Sequence, residues 1–533
     1  FAAGYIVRFL KKITEKLPAS LNGIRPMLIY PLGGMLILGA VMSSLLSCYG
    51  GKDSDVTDDI QQVTAINGIA TDGSYTLYQG DTLRINPSLT FSEGADSLRY
   101  DYRWVVGKQQ EIATGKQLVW EVSLPSGYNM ATDIPAVFIA KDRENGLEFR
   151  KTFSFQVLST YTPSSIVVYQ KSDGRTEWMS LQGDVRAFTK YYPDMIERIN
   201  PDEPINGKYY GTLYALNEIA VFTDQSPSWG RCISMRNADP DNGFYHNVGE
   251  YTGNIYNKVY MGSASRLDIS NVTFGYGASK YFICNGNLHV FNGLDRKLPV
   301  FNENTFVKSR NVRQAMSSKQ FQRFKKVTFV LHDDNTVGCY HVYNNQMEHI
   351  TIDGEPFRLD SLCGCFTEAT GLGSNQPYEV YLIGKRDGEY AIYEFCVNYV
   401  KTTVQPISLK RIMPIDASLA RTVRYWWGSF GESYAFYSVG NKVYRFDYYN
   451  MKEFNPVKSK LLISLDEGEQ LVDVFPLITG LGLRDEDDCT VMLTYRQATG
   501  CSSIRVYDSV TGKLIKAYQD IIPGYATYFT RCL

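Results

Sequence analysis

Val506-Tyr507-Asp508-Ser509-Val510-Thr511-Gly512-Lys513-Leu514-Ile515 decides the fold of most of this chain. Apolar and polar residues alternate as far as Asp508, Thr511-Gly512-Lys513 supplies a tight turn, and Leu514-Ile515 starts back. That is a β-hairpin, in which successive side chains take opposite faces. Leu288-His289-Val290-Phe291-Asn292, His341-Val342-Tyr343-Asn344 and Val443-Tyr444-Arg445-Phe446-Asp447 repeat the form, each an alternating strand ending on Asn or Asp. A second, more apolar element recurs around them: Ile166–Tyr169, Ile219–Phe222, Tyr281–Cys284, Val327–Leu331, Val380–Ile383, Tyr434–Tyr437 and Val491–Tyr495. A spacing of roughly fifty residues is that of four-stranded propeller blades. Seven such units over 160–533 predict an all-β, seven-bladed β-propeller. One blade cannot bury its apolar faces alone, so the ring must close. Either Thr160–Pro163 or Tyr525–Phe529 is expected to complete the blade of the other terminus.

Between the repeats lie the segments that could carry function. Residues 302–326 hold Lys308, Arg310, Arg313, Lys319, Arg323, Lys325 and Lys326 and are expected to form a helix over one face; such charge reads first as a solvated surface. Residues 226–260, with Trp229, Tyr245 and Tyr251, read as a long loop, and loops on a rigid scaffold are where binding concentrates. Within it Asp239-Pro240-Asp241-Asn242-Gly243 offers oxygen ligands for calcium from Asp239, Asp241 and Asn242. The sharpest candidate is Arg424-Tyr425-Trp426-Trp427-Gly428. Adjacent tryptophans in a strand point to opposite faces, so one is expected in the core and the other exposed or loop-held; the alternative is that both pack between blades. An exposed Trp beside Arg is the composition of a binding hot spot. The ligand-binding candidates are therefore Arg424, Tyr425, Trp426, Trp427, Trp229 and Tyr245.

Ahead of the repeats, residues 60–159 alternate apolar and polar residues in short strands. Tyr100, Tyr102, Trp104 and Val106 share one face of a strand, Lys116–Trp120 follows, and Ala136–Ala140 leads through Asp142-Arg143-Glu144-Asn145-Gly146 into the long strand Phe149–Leu158. A domain of this length with a central Trp predicts an immunoglobulin-like sandwich, Trp104 plugging its core. Tyr102-Arg103-Trp104 with Gly107, and the turn from Ala140-Lys141-Asp142 to Gly146, resemble the PKD-like domains of Bacteroidetes surface lipoproteins. The strict motif departs after Trp104, where Val105-Val106-Gly107-Lys108 stands.

The first residues are read as targeting. Arg8, Lys11, Lys12, Lys16 and Arg25 precede the apolar run Met27–Ser47, the positive-then-apolar order of a secretion signal. Leu45-Leu46-Ser47-Cys48 resembles a bacterial lipobox, which implies acylation of Cys48; the alternative is an uncleaved anchor helix. Residues 1–47 are thus read as a signal segment, within which 1–26 can be an upstream extension if Met27 or Met35 is the start. Residues 48–59 make a lipidated cysteine and polar, acidic tether, which resembles the signal for display on the outer face of the outer membrane.

Composition narrows the partners. With 54 basic against 56 acidic residues, there is no electrostatic case for nucleic acid. The 39 tyrosines fit strands first and sugar- or peptide-stacking surfaces second. Of ten cysteines, Cys284, Cys339 and Cys396 lie in apolar strand runs and are expected as buried thiols, and Cys363-Gly-Cys365 lacks zinc spacing. The five histidines form no zinc-protease pair, and no nucleophile elbow or phosphate loop occurs. Ser172–Trp178 only faintly resembles the Asp-box of sialidase propellers, and because its Asp173 and Gly174 are adjacent, which departs from that pattern, the likeness is discounted. The likeness to PKD-like lipoproteins implies a non-catalytic glycan- or peptide-binding accessory of a SusC/SusD-type uptake system, needing no cofactor unless calcium. The alternatives are a propeller hydrolase or lyase acting on polysaccharide or peptide, and a structural subunit of a transporter complex.

Overall fold

The computed structural model describes residues 62–532, other than 72–73, 93–96, 131, 216, 236–246, 274–278, 293–297, 320–326, 342–344, 368–376, 399–406, 430–432, 449–453 and 479–487. Cys48 and the signal and tether around it lie outside the described residues, as do Tyr245 and the trio Asp239, Asp241 and Asn242.

The first hundred described residues form a sandwich. Its larger sheet orders Ser74–Tyr78, Glu148–Leu158, Ile134–Asp142, Tyr100–Val106 and Gln110–Thr114, the first pair parallel and the rest antiparallel. Two short pairs, Val63–Asn67 with Ser88–Phe91 and Thr82–Ile85 with Leu118–Glu121, complete it. A turn at Gly80-Asp81 passes the chain from the large sheet to a small pair. Leu118–Glu121 alternates strictly buried and exposed, because each sheet here has one wet face. Trp104 is the plug expected of it: fully buried, tilted against Phe138 at 4.6 Å, its indole N–H donating to the Gly115 carbonyl at 3.1 Å. Asp142, in the turn read from sequence, is buried against Arg99 in a two-pronged ion pair and also accepts from the Glu144 amide at 2.8 Å.

Beyond Ser159 the chain builds seven four-stranded antiparallel sheets among the described residues. From the innermost strand outward, sheet I is Tyr525–Arg531, Ser165–Gln170, Thr176–Asp184 and Ala187–Tyr192. Sheet II is Tyr209–Tyr214, Glu218–Thr223, Gly230–Ser234 and Tyr251–Asn254; sheet III is Ile269–Thr273, Ser279–Cys284, Asn287–Asn292 and Val307–Ser309. Sheet IV is Val312–Ser317, Val327–His332, Val337–His341 and Gln346–His349; sheet V is Ser361–Thr367, Tyr378–Arg386, Glu389–Val397 and Ile407–Ile415. Sheet VI is Val423–Gly428, Tyr434–Val439, Lys442–Asp447 and Lys460–Ser464; sheet VII is Glu469–Ile478, Asp488–Arg496, Cys501–Asp508 and Leu514–Ile522.

All seven apolar elements read from the sequence are the second strands of these sheets. Glu218–Thr223 and Val327–His332 are buried at every position, with none of the sandwich's alternation. The reason is cover on both faces. In Ser165–Gln170, Ile166 and Val168 enter a cluster with Ile219 and Val221 of sheet II, while Val167 and Tyr169 enter one with Val491 and Leu493 of sheet VII. Equivalent clusters join II with III, III with IV, IV with V, V with VI and VI with VII. The arrangement is propeller-like, and the C-terminal Tyr525–Arg531, pairing with Ser165–Gln170, supplies the strand that links last sheet to first.

Two expectations are corrected. Residues 302–326 do not form a helix where they are described: Val307–Ser309 is the outer strand of sheet III, Asn311 turns the chain at φ 55°, and Val312–Ser317 is the inner strand of sheet IV. The stretch 226–260 is not one long loop, since Gly230–Ser234 and Tyr251–Asn254 are strands and Ile255–Val259 is a short helical turn. The sandwich meets sheet I through short contacts: Thr160 Oγ1 donates to the Gln79 carbonyl at 2.7 Å, Gln182 Nε2 to the Thr160 carbonyl at 2.6 Å, and Lys190 approaches Asp81 at 3.8 Å.

Candidate functional site at the axis of the ring

The innermost strand of each sheet shares one irregularity. Against its neighbour it carries an extra residue at Tyr210, within Asn271–Val272, at Arg313, at Cys363, within Arg424–Tyr425, at Val472 and, in sheet I, at Thr527. A bulge breaks the in-and-out alternation and re-aims side chains, and bulges gather near functional sites. Here the re-aimed side chains reach neighbouring sheets. Gln314 Oε1 accepts from the Leu362 amide at 3.0 Å, Arg313 Nη2 donates to the Asp360 carbonyl at 2.8 Å, and Arg424 Nη1 donates to the Leu471 carbonyl at 2.7 Å. The Tyr425 hydroxyl donates to the Val472 carbonyl. Close approach between inner strands is secured by glycine at two places: a Cβ on Gly211 would stand 2.4 Å from Val272 Cβ, and one on Gly364 2.3 Å from Trp426 Cδ1.

Five sheets contribute side chains around Asp473 of sheet VII. Its Oδ1 accepts the Val474 amide at 2.7 Å and pairs with Lys319, which follows the inner strand of sheet IV. The Lys319 ammonium also lies 4.5 Å from the Tyr425 ring centroid and 5.6 Å from that of Phe475. Such cation–π contacts favour a charged ammonium over aromatic faces. The Tyr209 hydroxyl, from sheet II, sits 2.8 Å from Thr212 Oγ1 and also bonds Thr527 of sheet I; burial, with the Asp473 charge adding, pushes its phenol up to about 12. Burial and the same carboxylate push Tyr425 up as well. Arg424 stacks 5.3 Å over Tyr425 and donates to the Tyr525 hydroxyl at 3.4 Å, and Tyr525 meets Tyr495 edge-on at 5.1 Å. The result is a partly solvated cluster of one carboxylate, two cations and aromatic rings held on rigid strands. Such a surface can bind by stacking and hydrogen bonding.

Of the residues singled out from sequence, Arg424 and Tyr425 belong to this cluster. Trp426 and Trp427 do not offer a free indole face, at 4% and 2% exposure. The expectation that one would be exposed is corrected: Trp426 packs toward sheet V with Phe366 and Tyr381, Trp427 toward sheet VII with Leu471 and Met492. Opposite faces of this strand are both interior. Trp229 is likewise core, packed with Phe222 and Ile255 in the turn between two strands of sheet II. Asp473, Phe475 and Tyr209 were missed, Lys319 was read only as part of the basic stretch 302–326, and Tyr525 and Thr527 only as part of a closing strand. Asp473 left a signal, a lone carboxylate inside the apolar run Leu471–Leu477.

The stretch Ser172–Trp178 has a structural use. The Glu177 carboxylate is buried and accepts the Ile196 and Glu197 amides at 2.8 and 3.2 Å, capping the short helix Met195–Ile199. Burial pushes Glu177 up to about 7. Asp194 and Glu197 stand close enough to share a cation with it, and Lys171, at 3.0 Å from each of the two, supplies one. His289, stacked on Phe282, and His341 are core histidines that burial lowers to about 4. Cys284 and Cys339 are buried thiols as expected, whereas Cys396 is only half-buried.

The profile of the PKD-like family matches residues 48–208, which takes in the sandwich and the three outer strands of sheet I. Curated proteins match over a short stretch only. The fructose-specific EIIABC component of the PTS system of Bacillus subtilis (strain 168) is 47% identical over 45 residues, 8% of this chain and 7% of that protein. The fructose permease IIC component of Bacillus amyloliquefaciens is 47% identical over 45 residues, 8% of this chain and 15% of that protein. The chain thus spans a small part of the length of these relatives. Among solved structures, a quinonprotein alcohol dehydrogenase-like protein from Bacteroides thetaiotaomicron aligns over 89% of this chain and 99% of its own, at 12% identity and TM-score 0.37. An apocarotenoid oxygenase variant from Synechocystis aligns over 88% of this chain and 95% of its own, at 9% identity and TM-score 0.25.

Proposed function

We propose that this chain is a surface-displayed lipoprotein of the outer membrane, anchored through Cys48, that captures a glycan or peptide without transforming it and serves as an accessory to a SusC/SusD-type uptake system of Bacteroidetes. In this reading the seven sheets are the blades of a closed seven-bladed propeller, and the sandwich is the spacer that holds it off the membrane. The observation that carries the binding role is the convergence of sheets IV, VI, VII and I on Asp473, Lys319, Arg424, Tyr425, Phe475 and Tyr525. Aromatic faces and paired charges sit there on strands, where ordering them costs little on binding.

The test is retention of the intact protein on immobilised glycans and peptides, with mass spectrometry of the supernatant. Arg424→Ala and Phe475→Ala are each expected to weaken retention about tenfold, or about 1.4 kcal/mol. Unchanged retention in both removes the axial site, and released product replaces the binding role with a hydrolase or lyase. Isolation of the native membrane complex without any ligand, but with a stoichiometric transporter, would make the chain a structural subunit instead. Cys48→Ser is expected to abolish incorporation of labelled palmitate and to release the protein from the membrane fraction.

A further inference from the structure

The pairing of Lys319 with Asp473 is unequal in its two halves. The acceptor half is built in: Asp473 and Phe475 stand on the inner strand of sheet VII, Tyr425 on that of sheet VI, with the Tyr425 hydroxyl tied to the Val472 carbonyl and Phe475 packed 5.7 Å from Phe529. The donor half is a flexible side chain that leaves the chain just past the end of Val312–Ser317 and crosses to the sheet on the far side of the axis. Both charged groups keep contact with solvent, the Lys319 side chain at 31% and that of Asp473 at 23% exposure. Among the described residues, the neighbours given to the ammonium suit a compact cation: one carboxylate and two aromatic faces. Asp473 Oδ1 accepts both the Val474 amide and the Lys319 ammonium, so a single oxygen holds the cation in a one-point contact.

We propose that Asp473, Tyr425 and Phe475 form a subsite for a primary ammonium group on the ligand, kept filled in the free protein by the chain's own Lys319. The inference rests on the axial binding role above and names the chemistry its ligand must carry: an amino sugar, or a peptide with a free lysine or N-terminus. A tethered occupant competes at an effective concentration in the millimolar range, so it sets a threshold that weak or monovalent amines fail to cross. A polymer that also engages Arg424 and Tyr525 can cross it. Lys319 then returns to solvent, and the subsite discriminates between amine and amide.

The experiment compares matched pairs on the full chain: glucosamine oligomers with N-acetylglucosamine oligomers of equal length, and a lysine-bearing peptide with its Nε-acetyl form. At least one amine member is expected to be retained about fivefold more strongly than its acetylated partner, as a single charge pair allows. Asp473→Asn is expected to bring that ratio to about one. Lys319→Ala, by removing the competitor, is expected to tighten amine binding about tenfold and to open the subsite to n-butylammonium alone, measured by calorimetry. Equal retention within both pairs in the wild-type protein overturns the subsite, and that measurement does not depend on the variants folding. Absence of n-butylammonium binding to a folded Lys319→Ala protein overturns it as well. Strong, equal retention of both members of a pair sinks only the ammonium subsite and leaves the axial binding role standing. Saturable n-butylammonium binding without retention of any polymer sinks the binding role instead.

Discussion

Trp104 in the sandwich and the pair Trp426-Trp427 in sheet VI sit in strands of similar sequence texture, yet the same rule of alternation succeeds for one and fails for the other. In Tyr100–Val106 the odd face is wet, so Asp101 is exposed while Tyr100, Trp104 and Val106 are buried. In Val423–Gly428 there is no wet face past Tyr425: Trp426 and Trp427 are both buried, one against each neighbouring sheet. A strand in a two-layer sandwich partitions its side chains between core and water. A strand in a ring of stacked sheets partitions them between two cores. Adjacent aromatics are a binding signal in the first setting and a packing signal in the second.

The largest expected effect tests that contrast directly. Trp426→Ala and Trp427→Ala should each cost about 3–5 kcal/mol, the range for truncating a buried Trp, and so should Trp104→Ala. Urea denaturation of the three variants decides it; a cost below about 1 kcal/mol for either sheet VI variant would mean that one face of this strand is wet after all. A step smaller, Gly364→Ala should cost about 1–3 kcal/mol by overpacking, because its methyl would meet Trp426 across the boundary between sheets V and VI. Measured alongside Trp426→Ala, the double variant should be less destabilised than the sum, since the truncated neighbour makes room.

The smallest effect, and the one that separates the two regions by sign, is the response to pH. In the sandwich, Arg99 holds the Asp142 carboxyl down to about 2. Its contribution is fully present above the ordinary carboxylate range and is lost as pH falls through about 2. In sheet I, burial raises Glu177 to about 7, so the folded state prefers the acid form. That preference stabilises fully below the ordinary glutamate value near 4.3 and is lost as pH rises through about 7. Melting temperatures across pH should therefore show Asp142→Asn flattening the acid limb and Glu177→Gln flattening the limb between about pH 4 and 7. If Glu177→Gln leaves that limb unchanged, the group is not titrating there.

Much of this architecture was legible, and the illegible part has a common cause. The second strands could be read because their apolar runs, such as Val327–Leu331, are long enough to stand out against turns like Thr511-Gly512-Lys513. The closing strand could be narrowed to two candidates, and hydrogen-bond register with Ser165–Gln170 chose Tyr525–Arg531. The inner strands were nearly invisible. Each is interrupted by a bulge, at Arg313 or Cys363 for instance, which destroys the two-residue period that identifies a strand. For the same reason the basic residues Lys308, Arg310 and Arg313 suggested a helix that the described residues do not contain. Two residues of the candidate site, Arg424 and Tyr425, were found because they adjoin two tryptophans. The rest was not, since residues such as Lys319 and Asp473 lie far apart in the chain and nothing local marks them as partners.

By itself, then, the sequence determined the strand content, the turn chemistry, the repeat and the Trp104 core, because those depend on neighbours within a few residues. Only the tertiary structure decided which apolar faces meet which sheet, and which polar residues meet at all. Those choices depend on how the sheets pack against one another and on the bulges that turn inner-strand side chains to neighbouring sheets, and they bring Lys319, just past sheet IV, to Asp473 of sheet VII.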